Sequence, residues 1–240
     1  MTMMRIDKLL SDCGLASRKE TKQLIKAGRV LIDGVPARAP EQKLDPGASV
    51  VTLDGKRVEY AQFHYFMMNK PAGVLSATED GKQKTVLDLL TPENRKMGLF
   101  PVGRLDKDTT GLLLLTDDGD FAHRVISPKS GIVKTYRAVT DGVVTDADIR
   151  AFAEGIVLAD GTQCLPAELE ALSDGSCLVK VMEGKYHQVK RMLASRMAPV
   201  TYLKRLSMGA LQLDRSLPAG AFRPLSPGEL ALLQGDAKEN

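Results

Sequence analysis

Residues 103–119 read Gly103-Arg104-Leu105-Asp106-Lys107-Asp108-Thr109-Thr110-Gly111, then Leu112, Leu113, Leu114 and Leu115, then Thr116-Asp117-Asp118-Gly119. A polar turn feeds a wholly apolar strand over 111–116, so the turn is pinned to the edge of a core. Fixing an acid at a rigid strand entry is how a reactive carboxylate is usually positioned. Two acids stand there, and they differ. Asp108 precedes two threonines and suits a turn role through side-chain–backbone bonds. Asp106 has basic neighbours at Arg104 and Lys107 and no evident capping duty. On the residues alone, an ordinary turn role stays open for both.

Outward from this stretch, residues 65–69 are strand-like, and Lys70-Pro71-Ala72-Gly73 is a turn that blocks a helix. Further short strands are predicted over 135–139, 156–158 and 177–182, and helices over 86–90, 121–126, 146–154 and 187–197. Strands and helices intersperse without a βαβ period. The fold class is therefore α+β, with a mixed, mainly antiparallel sheet.

The first sixty residues read as a separate small unit. Ile6, Leu9 and Leu10 stand at helical spacing, and a second helix opens at Ser17 with Glu20 three residues on, the pattern of a capping box. Gly28 suits the end of that helix. Residues 30–32, the turn Asp33-Gly34 and Val35 form a tight hairpin, and residues 49–53 another strand. Residues 60–64 read as the linker, which gives a domain over 1–60 and a larger one over 61–240, ending in a short polar tail over 235–240.

Hydrophobic residues are 43% and charged residues 26% of the 240, enough to bury a core, which excludes wholesale disorder. No apolar run approaches a membrane span, and Arg5, Asp7 and Lys8 break the N-terminal apolar stretch, so neither membrane insertion nor a signal peptide is expected. Cys13, Cys164 and Cys177 lie far apart, which excludes a disulfide framework and a paired-cysteine metal knuckle and fits a reducing, cytoplasmic setting. The acids at Asp117, Asp118 and Asp120 lack the spacing of a calcium loop. No metal is expected.

The chain carries 33 Lys+Arg against 30 Asp+Glu; residues 1–60 hold 11 and 8 of these, leaving 22 of each sign for the rest. The whole excess sits in the first quarter. Residues 180–205 then hold seven bases and one acid, and residues 141–174 eight acids and one arginine. Two basic faces and one acidic flank suit a partner that carries phosphates.

On the second helix Arg18, Lys22 and Lys26 stand at i, i+4 and i+8, a column of like charges that repel by a few tenths of a kcal/mol, roughly, per pair. A phosphate backbone would relieve that repulsion through counterion release. With Arg5, Lys8, Lys19 and Arg29 nearby, the patch reads as an RNA-binding face. The string RIDKLLSDCGLASRKETKQLIKAGRVLIDG, residues 5–34, is similar to the S4 RNA-binding domain. It departs at Thr21, where a small alanine is usual, and at Asp33, where asparagine is common; neither alters the basic face.

The motif GRLDKDTTGLLLLTDDG in turn resembles the central signature of RNA pseudouridine synthases, in the branch that carries an N-terminal S4 domain. The Asn69-Lys70-Pro71-Ala72-Gly73 turn, the Lys134-Thr135-Tyr136 triplet and residues 183–192, EGKYHQVKRM, match in the family's order. The resemblance implies isomerisation of a uridine in ribosomal RNA without a cofactor, by a monomer acting on free RNA or an assembling small ribosomal subunit. It places Asp106 as the catalytic aspartate, Tyr136 against the uracil ring and Lys190 as the basic partner of Asp106. A unit charge pair at ~4 Å is worth about 4 kcal/mol at an effective dielectric near 20, enough to keep the carboxylate ionised. Arg104 matches the arginine that fills the space of the flipped base, and Lys129, Arg137 and Arg191 are candidate phosphate contacts, with surface ion pairing to the acidic segment the plain alternative for Arg191. Tyr186-His187 resembles the small-subunit (16S) branch, whose large-subunit (23S) relatives tend to have Asn-Arg there.

Two rivals come from other classes. A ribosome-assembly factor that only binds RNA would have no reason to keep Asp106, Tyr136 and Lys190 together. A phosphotransferase reading of Asp106-Lys107 meets an inserted residue and lacks the second acid at the right register.

Overall fold

Ser17 and Glu20 close their capping box in the computed structural model, which describes residues 3–58, 60 and 62–234: Glu20 N donates to Ser17 Oγ at 3.3 Å and Ser17 N to Glu20 Oε2 at 2.7 Å. Two amides of the first turn that the helix itself leaves unpaired are thereby satisfied. The N-terminal stretch runs β1 (Met4–Arg5), α1 (Ile6–Asp12), α2 (Arg18–Lys26), β2 (Val30–Ile32), β3 (Val35–Pro36), β4 (Lys43–Leu44), β5 (Val51–Leu53) and β6 (Lys56–Arg57). Gly28 takes φ +66° just past α2, and Asp33 and Gly34, at φ +52° and +79°, turn β2 into β3. Ile6, Leu9 and Leu10, one face of α1, are at most 1% exposed and pack with Ile25, Val30 and Val51. The antiparallel sheet has the order β3-β2-β5-β6, and β1 pairs with β4 apart from it.

By contacts the chain divides into two units, Met1–His64 with Thr91–Gly98, and Tyr65–Leu90 with Leu99–Asn240. Part of the expected linker (Ala61) and the polar tail over 235–240 lie outside the described residues. The excursion Thr91–Gly98, which includes helix α3 (Pro92–Arg95), leaves no signature in composition.

The second unit is built on one large sheet. Its strands are β7 (Tyr65–Lys70), β8 (Phe100–Pro101), β9 (Thr110–Thr116), β10 (Lys134–Thr140), β11 (Glu168–Ala171), β12 (Ser176–Val181), β13 (Val200–Met208), β14 (Leu211–Gln212) and β15 (Phe222–Pro224), with helices α4 (Gly119–Ile126), α5 (Asp146–Glu154), α6 (Gln188–Ala194) and α7 (Pro227–Gln234). The order is β11-β12-β10-β13-β9-β7-β15, with β14 beside β13 and β8 beside β9. Only β9 with β13 is parallel among these described pairings, so the sheet is mixed and mainly antiparallel. The leucine run is β9: Leu112 and Leu114 pack with Met67, Phe121 and Val125, while Leu113 and Leu115, equally buried, take the opposite face. No helix among the described residues is long and apolar enough to cross a membrane.

Three expectations need correction, and one strand went unread. Residues 156–158 make only an isolated bridge, Val157 with Gln163, in place of a strand. Residues 86–89 form a tighter 3₁₀ turn. Helix α6 is shorter than expected, because His187 and Met197 both have left-handed backbone (φ +48° and +59°), and Met197, expected on the apolar stripe, is 86% exposed. Strand β13, the longest, is invisible to hydrophobic alternation because its buried positions include Arg205 and Ser207.

The C-terminal part is tied by Arg223, whose Nε donates to Asp214 Oδ2 at 2.7 Å and whose Nη1 and Nη2 reach both oxygens of Glu229 at 2.9 and 2.7 Å. The Arg223 hydrogen bond holds the Glu229 carboxyl at about 2, against an ordinary 4.5. Asp214 also falls to about 2, from 3.8, through Ser216 and then Arg223. Folded values below unfolded ones mean stability that is present in full above about pH 4.5 and is lost as pH falls toward about 2. Melting temperature measured from pH 6 to pH 2.5 is therefore expected to fall more steeply for the wild type than for Arg223→Met; equal slopes would show that the clamp contributes nothing.

Candidate active site

The Asp106 turn is held by the strand that precedes it in the sheet. Lys70, the last residue of β7, is 0% exposed, and its Nζ donates to the carbonyls of Pro71 (3.1 Å), Asp106 (3.0 Å), Lys107 (3.3 Å) and Thr109 (2.9 Å). Burial lowers its pKa to about 8, while the nearby charges of Asp108 and Asp106 act in the opposite sense. Gly73 N donates to Lys107 O at 2.8 Å, and Ser76 Oγ both donates to Leu105 O (2.8 Å) and accepts from Leu105 N (3.0 Å). Residues 103–109 are thus a polar turn wired to a second polar turn, and neither Lys70 nor Ser76 was marked by residue type. The Asn69-Lys70-Pro71-Ala72-Gly73 string reaches Lys70, and no signal in the sequence reaches Ser76.

Across from this turn, α6 presents Lys190. Its ammonium lies 3.0 Å from Asp106 Oδ2 and 2.5 Å from Asp108 Oδ1. Burial disfavours the charged lysine, but the hydrogen bonds that its ammonium donates to Asp108 and Asp106 outweigh it and raise its pKa. The Lys190 hydrogen bond in turn lowers that of Asp108. Asp108, expected as a turn acid, therefore serves chiefly as a second carboxylate on Lys190. The start of α6 is set by a buried network in which Glu183 Oε1 accepts from Gln188 Nε2 (2.8 Å) and Leu165 N (2.9 Å), and Gln188 Oε1 accepts from Lys185 N (3.0 Å). His187, at the helix entrance, points Nε2 to within 3.4 Å of Asp106 Oδ1.

Asp106, Lys190, Tyr136, Arg104, His187 and Leu203 line one open pocket of about 420 Å³. Tyr136 comes from β10 and is 9% exposed, its hydroxyl 3.5 Å from Arg205 Nη1. Arg205, 3% exposed, donates from Nε to Leu112 O at 2.8 Å, and its Nη2 has no hydrogen-bond partner among the described residues. Lys134, two residues before Tyr136, is also buried; burial and the Arg205 charge lower its pKa. A second cavity, about 1010 Å³, shares Tyr136 and Arg104 with the first and is lined by Lys134 and Arg205. The sheet and α6 thus converge a carboxylate, an ammonium and an aromatic ring on one opening, an arrangement able to meet an electron-poor carbon beside a flat heterocycle.

The remaining basic candidates separate. Arg104 is exposed and makes no ion pair among the described residues, and Lys129 is exposed too. Arg191 pairs with Asp160 at 2.5 Å, the ion pair with the acidic segment that its sequence allowed. Arg137 is bound to Asp174 and to Ser176 Oγ. In the N-terminal unit Arg5 pairs with Asp7 (2.7 Å), Lys8 with Asp12 (2.7 Å) and Arg29 with Asp54 (2.6 Å). Arg18, Lys19, Lys22 and Lys26 are exposed on α2 and form no ion pair among the described residues. The broad basic patch narrows to one helix face. Among the described residues no cluster of His, Cys, Asp or Glu is arranged to hold a metal; Asp118 caps α4 through Phe121 N (2.9 Å) and accepts from Tyr65 Oη (2.7 Å).

Comparison with known proteins agrees with this geometry. Residues 64–195 match the RNA pseudouridylate synthase family and residues 4–50 the S4 domain. A Bacillus subtilis protein described as "Uncharacterized RNA pseudouridine synthase YtzG" is 48% identical, covering 96% of this chain and 98% of its own. "Ribosomal small subunit pseudouridine synthase A" of Vibrio cholerae is 43% identical over 95% and 98%. A solved structure described as "Crystal structure of pseudouridylate synthase" superposes with a TM-score of 0.67 at 34% identity, over 95% of this chain and 98% of that one. With the family matched across more than half of its length, including the Asp106 turn and Lys190, and relatives matched nearly end to end, the chain belongs to the RNA pseudouridylate synthase family and carries an S4 domain ahead of the synthase domain.

Proposed function

We propose that this chain converts a uridine of small-subunit ribosomal RNA to pseudouridine, with Asp106 as the reacting carboxylate, Lys190 as its cationic partner and Tyr136 as the ring beside the uracil. The observation that carries the site assignment is the 3.0 Å ion pair of Lys190 with Asp106 at the wall of a pocket that Tyr136 also lines. Support for the small-subunit substrate comes from the Vibrio cholerae relative, by its description, and from the Tyr186-His187 pair.

The uridine leaves its stack, at a cost of a few kcal/mol, approximately, and Arg104 fills the space it vacates. As the C1′–N1 bond opens, its electron pair goes to the uracil and the ribose becomes electron-poor. The Asp106 carboxylate meets that centre by adding to the nucleoside or by taking a sugar proton. The uracil turns and rejoins through C5, which displaces the Asp106 oxygen from the adduct or is accompanied by return of the sugar proton from Asp106, and the proton that C5 gives up is balanced by the one that N1 gains. Substrate and product are isomers, so no cofactor enters the balance. Residues 1–60 grip the RNA through Arg18, Lys19, Lys22 and Lys26, residues 61–240 carry the chemistry, and the chain works as a monomer in the cytoplasm on free or assembling small-subunit RNA.

Incubation with in-vitro-transcribed 16S rRNA, followed by carbodiimide treatment and primer extension, is expected to give one new stop. A stop only on 23S rRNA would move the substrate to the large subunit, and no stop on either RNA, whether naked or partly assembled with ribosomal proteins, would refute the activity.

A further inference from the structure

The backbone at the entrance to α6 is unusual for its place. A residue ahead of a helix ordinarily has extended backbone and caps with Ser, Thr, Asp or Asn. His187 has φ +48° and ψ +34° and makes no side-chain cap. A residue with a side chain takes this left-handed conformation at a cost, and such costs concentrate where a site needs a particular geometry. What the turn achieves here is placement of two rings. The His187 imidazole is directed at Asp106, with Nε2 3.4 Å from Oδ1, and it lies parallel to the Tyr186 ring, with centroids 3.8 Å apart and planes at 18°. Tyr186 is nevertheless 75% exposed. One face of its ring is covered by His187, so the exposure belongs to the other face.

We propose that this outer face of Tyr186 is a stacking subsite for an unpaired base of the RNA, one or two nucleotides from the uridine that enters the Asp106 pocket. The inference rests on the RNA reading of that pocket. Several observations select a nucleobase as the occupant. The ring is stacked on His187, which lines the pocket, so a single imidazole separates it from the wall that a delivered uridine meets. Lys185, Lys190 and Arg191 nearby are each paired with a carboxylate, but Arg104, which lines the same pocket, is exposed and forms no ion pair among the described residues, a cation that favours a polyanion over an apolar peptide. A flat, rigid, exposed aromatic face offers stacking to any base, without a hydrogen-bond code. The column Asp106–His187–Tyr186 then sets the spacing between the reacting ribose and a stacked neighbour, so Tyr186 contributes to choosing which uridine is presented.

Single-turnover kinetics on transcribed 16S rRNA test this. Tyr186→Ala is expected to raise the half-saturating protein concentration roughly tenfold or more, the loss of one base stack, while the maximal rate falls much less. Tyr186→Phe, which keeps the face and loses the hydroxyl, is expected to restore wild-type saturation. On a short RNA spanning the mapped uridine, 2-aminopurine at one flanking position is expected to be quenched by the wild type and by Tyr186→Phe, and not by Tyr186→Ala. Unchanged saturation in Tyr186→Ala, equal damage from Phe and Ala, or a loss confined to the maximal rate would each overturn the subsite while leaving the pocket's assignment intact. Absence of product with the wild type would overturn both.

Discussion

Asp106→Asn is expected to lower the rate of pseudouridine formation by at least about a thousandfold, to the floor of detection, while the protein folds and binds RNA as before. The substitution keeps the shape of the side chain and removes its charge. Only the charged form can add to the ribose or take its proton, so the chemistry has no substitute group. The fold is insulated for a structural reason: Lys190 keeps its 2.5 Å contact with Asp108, so the ammonium is not left unpaired. The turn itself is held by main-chain atoms, through Lys70, Gly73 and Ser76, and none of these bonds involves the Asp106 side chain. RNA binding should hold or tighten, because one negative charge has been taken from a surface that faces phosphates. The measurement is single-turnover product by carbodiimide primer extension beside a binding titration. Persistent product at a rate within tenfold of the wild type would remove Asp106 from the chemistry.

Gly111→Ala is expected to cost at least about 4 kcal/mol, or to prevent soluble folding, which places it among the severe substitutions. Gly111 has φ +100°, a region that side chains rarely adopt, and an added Cβ would lie 2.2 Å from Arg205 O and 2.9 Å from Arg205 N. These are backbone atoms of β13 and have nowhere to go. Gly111 sits where β9 pairs with Lys70 of β7 on one side and with Arg205 of β13 on the other. The same residue thus joins the strand that holds the Asp106 turn to the strand that backs Tyr136. Gly81→Ala is the control, since nothing lies within 4 Å of its added Cβ and its backbone is not left-handed. Thermal melts should separate the two by on the order of 10 °C; a Gly111→Ala protein melting within 2 °C of the wild type would show that β9 and β13 can part without loss.

How much of this was legible along the chain follows from how local each signal is. The capping box at Ser17, the Asp33-Gly34 turn and helix α5 over Asp146–Glu154 are satisfied by residues within a few positions of one another, and each stands where periodicity and turn chemistry put it. Strand β9 was readable because four consecutive leucines bury both faces. Strand β13 was not, because its inward Arg205 is made tolerable only by Leu112 O and Tyr136 Oη, partners 93 and 69 positions away. The basic patch shows the same limit. Charge counts along the first sixty residues cannot tell Arg29, matched by Asp54, from Lys22 and Lys26, which have no acid within reach among the described residues.

Residue type and short spacing were enough to read the α+β class and the S4-like start, and to single out Asp106, Lys190 and Tyr136 as the residues to look for. It takes the assembled sheet to show that Lys190 is shared by Asp106 and Asp108, that the buried Lys70 ammonium holds the turn by its carbonyls, and that His187 turns toward the carboxylate with Tyr186 stacked behind it. Each of these depends on groups far apart in the chain, or on a backbone angle that residue type disfavours, and such contacts exist only once the sheet has brought its strands together.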